Sequence, residues 1–417
     1  MGRLTINRLD SYDRVIDCMP DKSMSVRAVL FNSFAVGKAT VKNLLLSDDV
    51  LSAIDCARRL GAEIALDGDT ATINGAPFCG ATLDCGNSGT TARLLIGLLS
   101  GLNGKYTITG DASLSSRPMR RVTEPLIAMG ARISDTDGRL PIDIIGSRLH
   151  GIDYSMPIAS AQVKSALMLA ALNAASPVTV REPAPTRDHS ENMLAAMGAA
   201  VTRADGAVTV APSVIRSKDF CVPGDISSAA YPICLALAVR GGRCTVRNVG
   251  INPTRTGIID VLRGCGADIR FDNVRDCAEP SADITVKSGE LKPFVIDGAL
   301  VPRLIDEIPV LCALACFIDG VSVVKGAREL RVKETDRIAT TVAALKALGA
   351  DVEATDDGMT VRGGMPLRFG EVDPKLDHRI AMSAAVAGAA GDGASILDAE
   401  CASVSYPDFY GEVIGVV

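Results

Sequence analysis

The chain has 417 residues, of which 47% are hydrophobic and 22% charged, and its formal net charge is -6 at pH 7. This length and apolar content predict an ordinary globular protein of two or three domains. The acidic balance argues against general binding to nucleic acid or to an anionic membrane, because the field of the whole surface would repel a polyanion. Any anion site must therefore be local.

The sequence offers little from which to build a metal site or an anchor. Its twelve cysteines are scattered through apolar stretches without a C-x-x-C pair, which favours buried reduced thiols. Three histidines without a Cys/His cluster leave a zinc or iron site few ligands, so we expect no metal. The start of the chain lacks a hydrophobic signal core, and the longest apolar run, 308–318, is too short to span a bilayer. We expect a cytoplasmic protein.

A helix that stops at glycine, with an apolar strand after it, recurs along the chain. Glycine just past a helix suits the left-handed cap conformation. The pattern lies around Gly61, Gly130, Gly198, Gly266 and Gly349. The first four stops are roughly 68 to 69 residues apart, which indicates duplicated supersecondary units. The Ile, Val and Ala that follow each stop favour an α/β unit over a helical solenoid.

Each unit also contains a strand with alternating apolar residues. Six such strands begin at Gly37, Gly104, Ser176, Gly242, Gly320 and Gly393. Six units predict two domains of three, with the chain crossing between them at turns around Pro20 and Pro223. We therefore expect a first lobe at 20–222, a second lobe at 1–19 plus 223–417, and an active site in the cleft between them.

Polar, punctuated segments follow five of these strands and have the composition of helix N-termini. Arg117, Arg187, Arg255 and Arg337 occupy related places in successive units. The unpaired N–H groups and partial positive charge of a helix start, with an arginine beside them, form a phosphate site. The alternative interpretation is that each arginine is a solvated residue at a helix start.

Further polar segments open otherwise apolar helices, although each alone also fits a capped helix start. The cations in these segments are Lys22, Arg27, Arg93, Arg117, Lys333, Arg337 and Arg379. Gathered in one cleft, they would repel one another by roughly 4 kcal/mol per close pair at intermediate dielectric. We expect an anionic ligand to relieve that repulsion, with the cleft open until phosphates bind.

Together these segments resemble the 5-enolpyruvylshikimate-3-phosphate synthase family through nearly the whole chain. The ordered motifs are DKSMSVR at Asp21, GNSGTTAR at Gly86, GDASLSSRPMRR at Gly110, SAQVKSAL at Ser160, TRDHSENML at Thr186, GDISSAAYP at Gly224, NPTRTG at Asn252, DEIP at Asp306, RVKETDRI at Arg331 and DHRIAM at Asp377. The resemblance implies a two-domain inside-out α/β barrel, each domain holding three βαβαββ units. It also implies transfer of the enolpyruvyl (carboxyvinyl) group of phosphoenolpyruvate to the 5-hydroxyl of shikimate 3-phosphate, with release of phosphate. That reaction belongs to the shikimate pathway of aromatic amino-acid biosynthesis and needs no cofactor.

The resemblance also implies roles for single residues. Shikimate 3-phosphate, chiefly on the 20–222 lobe, would be held by Lys22, Ser23, Arg27, Ser160, Gln162, Asp306 and Lys333. Phosphoenolpyruvate would be held by Lys22, Gly89, Arg117, Gln162, Glu334, Arg337 and Arg379. Asn87 and Ala161 belong to the same substrate-binding motifs, and Arg187 would contact the shikimate phosphate on a looser alignment. Asp306 would accept the proton of the attacking hydroxyl, and Glu334, alone or with Lys22, would protonate the methylene carbon.

Three positions depart from the family pattern. Val26 stands where the family commonly has His, and Met19 or Pro20 replaces the usual Gly before Asp-Lys-Ser. Val404 stands where some members carry a Lys that reaches phosphoenolpyruvate. The first two bear on the geometry around Lys22, and the third on affinity for phosphoenolpyruvate.

Two alternatives remain open at this point. One is a UDP-N-acetylglucosamine enolpyruvyl transferase, which shares fold and donor, although the chain has no match to that family's reactive cysteine loop. The other is a catalytically inactive paralogue that binds anions. We further expect a monomer. We also expect inhibition by glyphosate, because Gly89 leaves room where a larger side chain would crowd the donor site.

Overall fold

The computed structural model describes residues 2–275 and 279–416. The chain forms two compact units. Residues 20–222 make one, called here the inserted unit, and the described residues of 1–19 and 223–417 make the other, called the flanking unit. Each unit consists of helices and small sheets, so the α/β class predicted from the sequence is confirmed.

The described residues contain the following strands and helices. The strands are β1 (Arg3–Ile6), β2 (Asp13–Asp17), β3 (Lys38–Lys42), β4 (Glu63–Asp67), β5 (Thr70–Asn74), β6 (Ala81–Asp84), β7 (Lys105–Thr109), β8 (Arg132–Thr136), β9 (Arg139–Ile145), β10 (Asp153–Ser155), β11 (Val178–Arg181), β12 (Val201–Ala204), β13 (Ala207–Val210), β14 (Phe220–Cys221), β15 (Arg243–Gly250), β16 (Asp268–Arg275), β17 (Ser281–Lys287), β18 (Val295–Ile296), β19 (Gly320–Val324), β20 (Asp351–Ala354), β21 (Met359–Gly363), β22 (Glu371–Val372) and β23 (Ala394–Leu397). The α-helices are α1 (Lys22–Phe34), α2 (Asp48–Leu60), α3 (Gly89–Ser100), α4 (Ala112–Ser116), α5 (Arg120–Ala128), α6 (Ala161–Ala171), α7 (His189–Ala196), α8 (Ile226–Ala238), α9 (Gly257–Gly264), α10 (Val301–Leu304), α11 (Ile308–Ala315), α12 (Arg337–Ala347) and α13 (His378–Ala390). Short 3-10 segments lie at Arg328–Val332 and Ala399–Val404, and a π-helical turn lies at Tyr410–Ile414.

The inserted unit holds three four-stranded sheets of the same topology. Their strand orders are β14-β3-β5-β4, β6-β7-β9-β8 and β10-β11-β13-β12. In each sheet the first two strands are parallel and the other pairs are antiparallel. In the second and third sheets a buried helix connects the parallel strands and a hairpin follows, which is the predicted βαβαββ order.

The flanking unit repeats this design with strands from both ends of the chain. Its sheets are β2-β15-β17-β16, β18-β19-β21-β20 and the three-stranded β22-β23-β1. β2 pairs in parallel with β15, and β1 pairs antiparallel with β23, so the N-terminal strands belong to this unit. The last repeat therefore has β1 where the other sheets have a hairpin strand.

One long apolar helix per repeat is buried inside its unit. These helices are α1, α3 and α6 in the inserted unit and α8, α11 and α13 in the flanking unit. In the flanking unit they pack on one another, and in the inserted unit α3 packs on both α1 and α6. Helices that are apolar on every side require such burial, while the strands alternate buried and exposed residues. Helices inside and sheets outside give the inside-out arrangement.

In five of the six buried helices, the side chain of the N-cap residue caps the helix start. Residues that accept a hydrogen bond from their helix backbone are Asp21, Ser88, Ser160, Asp225 and Asp377. The five glycine stops predicted from the sequence all have positive φ, as at Gly61, which caps α2 with φ 117°. The caps explain why polar residues gather at one end of helices whose remaining length is apolar.

Three further facts concern the cysteines, the helix lengths and the metal-ligating side chains. The described cysteines are free thiols, most of them buried, and burial raises the pKa of Cys265 to about 11. No helix within the described residues is both long enough and apolar enough to cross a membrane. The described residues also contain no group of His, Cys, Asp and Glu that could hold a metal ion.

Candidate functional site

The first site segment in the inserted unit is the start of α1. Lys22 is the first residue of that helix, and its Nζ lies 2.9 Å from Oδ2 of Asp49. The Lys22 side chain is 21% exposed, so a second anion can still reach its ammonium group. Asp49 lies in the first turn of α2 and was not identified from the sequence. Its carboxylate orients the lysine.

Arg27 lies one turn further along α1 and is buried. Its Nε donates to Oγ of Ser190 at 2.8 Å, and its Nη2 donates to Oγ of Ser165 at 3.3 Å. Its Nη1 donates to the backbone oxygen of Ser23 at 3.0 Å. The guanidinium therefore ties α1 to α6 and α7, and it supplies positive charge from within the unit.

The start of α3 brings two more guanidinium groups together. Gly89 is the first residue of α3, and a Cβ placed on it would lie 2.7 Å from Nη1 of Arg93 and 3.4 Å from Nη1 of Arg117. Arg117 also donates to Oδ1 of Asn87 at 2.7 Å, and Nδ2 of Asn87 donates to Asp111 at 2.9 Å. Glycine is thus what allows the helix backbone to approach both arginines.

Gln162, in the first turn of α6, connects α6 to α3. Its Oε1 accepts from Nη1 of Arg93 at 2.8 Å, and its Nε2 donates to Oγ1 of Thr90 at 3.1 Å. Ser160 caps α6, which begins at Ala161. Two helix N-termini therefore meet through side-chain hydrogen bonds, and both carry partial positive charge.

Arg187 is partly buried in the segment between β11 and α7. Ser190, three residues later, bonds Arg27. The predicted residues of the inserted unit thus belong to the starts of α1, α3 and α6, to the end of α4, where Arg117 is the C-cap, and to the loop before α7.

In the flanking unit, one carboxylate collects three cations. Oδ1 of Asp306, just before α11, lies 3.3 Å from Nζ of Lys333 and 3.2 Å from Nη1 of Arg337. Nε of Arg379 lies 4.0 Å from the same oxygen, and its Nη1 donates to the backbone oxygen of Asp306 at 3.4 Å. Asp306 is therefore the shared partner of three cations.

Arg337, the first residue of α12, is buried among carboxylates. Its Nη2 lies 2.5 Å from Oε2 of Glu334, and its Nε lies 2.8 Å from Oδ2 of Asp377. Burial alone would lower the pKa of Arg337, but Glu334, Asp377 and Asp306 raise it above its ordinary value. Burial would likewise raise the pKa of Asp377, but Arg337 lowers it below its ordinary value. Arg337 and Asp377 are therefore both charged at neutral pH.

Arg379 follows the N-cap of α13, and its backbone N–H donates to Oδ1 of Asp377 at 3.0 Å. Burial opposes its charge, but Asp306 and other neighbouring groups raise the pKa of Arg379 above its ordinary value. Asp377 thus fixes both Arg337 and Arg379. Asp377 begins one of the motifs found in the sequence, but no role was predicted for it.

A second buried network of the flanking unit lies next to this cluster. Arg255 Nη2 donates to Oδ1 of Asp225 at 3.1 Å and to Oγ of Ser227 at 2.8 Å. Ser227 in turn donates to the buried carboxylate of Glu307. For Arg255, as for Arg337, the alternative of a solvated helix-start residue is wrong, because both side chains are buried.

The positions that depart from the family pattern have definite environments. Val26 is buried in α1, whose cap at Asp21 is intact and accepts from the backbone N–H of Met24 at 2.8 Å. The apolar side chain at this position therefore does not disturb the helix start that carries Lys22. Val404 is partly buried at the end of a 3-10 segment and supplies no charge.

Comparison with known proteins finds relatives that match this chain over nearly its whole length. The family model described as EPSP synthase (3-phosphoshikimate 1-carboxyvinyltransferase) matches residues 9–413. The chain is 48% identical over 409 residues to a 3-phosphoshikimate 1-carboxyvinyltransferase from Synechococcus sp. (strain CC9605), covering 94% of this chain and 93% of that protein. It is 47% identical over 400 residues to the protein of the same name from Shouchella clausii (strain KSM-K16), with the same coverages. A solved structure of EPSP synthase from Acinetobacter baumannii superposes with a TM-score of 0.87 at 38% identity, over 98% of this chain and 96% of that one.

Proposed function

This chain belongs to the EPSP synthase (3-phosphoshikimate 1-carboxyvinyltransferase) family, and we propose that the charged residues at the helix starts of both its units carry out that family's reaction. The chain is an enzyme that transfers a carboxyvinyl group to 3-phosphoshikimate, a step of aromatic amino-acid biosynthesis. Phosphoenolpyruvate is the donor in this family. The comparisons do not favour the UDP-N-acetylglucosamine alternative.

The acceptor, shikimate 3-phosphate, is assigned mainly to the inserted unit. Its proposed ligands are Lys22, Ser23, Ser160, Ala161, Gln162 and Arg187, with Asp306 and Lys333 from the flanking unit. Two capped helix starts with a partly exposed lysine support this assignment, because their N–H groups and charge suit a phosphate. Arg27 is buried and bonded to Ser165 and Ser190, so we assign it to shaping this surface and to supplying charge.

The donor, phosphoenolpyruvate, is assigned to cations of both units. Its proposed ligands are Lys22, Asn87, Gly89, Arg117, Gln162, Glu334, Arg337 and Arg379. Support comes from the fixed positions of the guanidinium groups, since Arg117 is held by Asn87, and Arg337 by Asp377. Cations held in fixed positions can bind the phosphate and the carboxylate of the donor. They need not move when charge develops on the donor during the reaction.

The observation that carries the mechanism is the Asp306 carboxylate among three cations. In the addition step, the 5-hydroxyl oxygen bonds to C2 of phosphoenolpyruvate, Asp306 takes the hydroxyl proton, and C3 gains a proton from Glu334, alone or with Lys22. In the elimination step, C3 returns a proton to the group that donated it, and the electrons of that C–H bond form the double bond between C2 and C3. The bond from C2 to the phosphate oxygen breaks at the same time, and phosphate leaves with those electrons. No enzyme nucleophile and no cofactor is required.

Phosphate release tests this function. With phosphoenolpyruvate as donor, the purified chain should release phosphate in the presence of shikimate 3-phosphate and not with UDP-N-acetylglucosamine. Release with the nucleotide sugar alone would contradict the acceptor, and release with neither would support an inactive anion-binding paralogue. Glyphosate should inhibit the reaction, and undiminished turnover at millimolar glyphosate would exclude that part of the proposal.

We also propose that the enzyme acts as a cytoplasmic monomer. Its described cysteines are free thiols, which suits a reducing compartment. Light scattering of the purified chain should give a mass near 43.4 kDa, and twice that mass would contradict the monomer.

A further inference from the structure

A buried cluster of one lysine and two carboxylates lies in the inserted unit, outside the proposed site residues. The Lys164 side chain, on α6, is 1% exposed. Its Nζ lies 2.9 Å from Oε2 of Glu182 and 2.6 Å from Oε1 of Glu191. Glu182 directly follows β11, and Glu191 lies in α7, so one ammonium group joins both ends of the segment that contains Arg187.

The cluster also holds the middle of that segment. Oε1 of Glu182 accepts from the backbone N–H of Thr186 at 3.2 Å and from its hydroxyl. Lys164 donates to the backbone oxygen of Thr186 at 3.5 Å. Thr186 is buried and directly precedes Arg187, so these bonds fix the backbone from which Arg187 extends.

The next residue of α6 continues the network towards α1. The hydroxyl groups of Ser165 and Ser190 lie 2.7 Å apart, and both are bonded to Arg27. Lys164 and Ser165 therefore connect α6, whose first turn carries Gln162, to α7 and to α1. Helices α1 and α6 both supply residues proposed to bind the acceptor, and Arg187 lies just before the N-cap of α7.

Such a cluster is a poor means of stabilising a fold. Burial of ions is costly, and apolar side chains of similar volume often stabilise as well or better. Burial raises the pKa of Glu191, against the opposing effect of Lys164, so removal from water outweighs the ion pair there. The cluster does fix the position of the Lys164 ammonium group, because two carboxylates and one carbonyl oxygen accept its hydrogen bonds.

We propose that Lys164 is a positioning residue for the acceptor: through Glu182, Glu191 and Thr186 it holds Arg187, a residue assigned to the acceptor alone, in the geometry that binds shikimate 3-phosphate. This inference rests on the proposed function, since the acceptor is the molecule whose binding is read out. Lys164 contacts no reacting atom in this role. It follows that its loss changes affinity for one substrate and leaves the chemical step nearly intact.

The test compares Lys164→Met with Thr186→Val in steady-state phosphate release. Met keeps the length of the side chain and removes the charge, whereas Val removes only the hydroxyl that bonds Glu182 and leaves the ion pairs in place. Misplacement of a binding group by about 1 Å costs up to roughly 100-fold. We expect the KM for shikimate 3-phosphate to rise by about 10- to 100-fold in Lys164→Met, and by a smaller factor in the same direction in Thr186→Val.

A matched control separates positioning from loss of stability. Ile73→Ala removes a buried side chain of β5 in the same unit, so it should lower the melting temperature without changing either KM. If Lys164→Met does not fold, Thr186→Val decides. Equal rises in both KM values, or no change in the KM for shikimate 3-phosphate in a folded variant, would overturn the inference. Absence of turnover in the unmodified chain would instead overturn the proposed function.

Discussion

Replacing Asp306 with Asn separates proton acceptance from charge balance in a single side chain. Asn keeps the shape and one acceptor oxygen but removes the negative charge and the basic site. The cations at 3.2, 3.3 and 4.0 Å from Oδ1 then lose their shared partner. At an effective dielectric of 20, a pair of unit charges at 4 Å interacts by roughly 4 kcal/mol, so the change in local field is large.

Asp306→Asn should lower kcat while leaving the binding of phosphoenolpyruvate unchanged or stronger. Loss of a general base lowers kcat by about 10²- to 10⁴-fold. The added net positive charge strengthens attraction for phosphoenolpyruvate, so its KM should stay the same or fall. A residue that served only to orient the cations would instead raise this KM when replaced.

The assay is steady-state phosphate release, with both substrates varied and the melting temperature measured on the same protein. Asp272→Asn, an exposed carboxylate of β16 in the same unit, is the matched control and should behave as the unmodified enzyme. If Asp306→Asn keeps kcat within about threefold while the KM for phosphoenolpyruvate rises tenfold, the assignment of Asp306 as proton acceptor is wrong.

Two further changes test other parts of the site. Gly89→Ala should raise the KM for phosphoenolpyruvate several-fold and weaken inhibition by glyphosate. The new Cβ would lie 2.7 Å from Nη1 of Arg93 and must displace that group. An unchanged KM together with unchanged inhibition would contradict a donor site at this position. Asp377→Asn should destabilise the protein at pH 7 by about 3 kcal/mol, since it leaves the buried Arg337 short of a partner, as measured by denaturant unfolding. Because the pKa of Asp377 lies below its ordinary value of 3.8, this difference should persist above that pH and shrink only as pH falls through the lowered pKa; a difference already lost at pH 5 would refute the ion pair.

The repeated architecture could be predicted because its signals are local. These signals depend only on neighbouring residues, as with the glycine stop at Gly61, the capping residue Ser160 and the alternating strands. The structure has them where the sequence predicted them. The α/β class follows from such signals, whereas the βαβαββ order was implied by the resemblance to the family. The chain's membership of the family was likewise visible in the order of its motifs.

The partners of the site residues could not be predicted in the same way. Lys22 meets Asp49, and Arg337 meets Asp377 across 40 positions of sequence, so no local pattern links them. The burial of Arg27 and Lys164 also depends on which helices pack together. A sequence shows which residues carry charge, whereas tertiary packing decides whether that charge faces a substrate or another side chain.

Paired substitutions, one in each unit, test whether a single reaction draws on residues of both. Turnover should be measured for Lys22→Met in the inserted unit and for Glu334→Gln in the flanking unit. Lys105→Met and Glu290→Gln, which alter exposed residues of the same units, serve as controls. Each site variant should lose at least about 100-fold in kcat/KM, while both controls keep it. Full turnover in a folded site variant of either unit would show that its residue takes no part in the reaction.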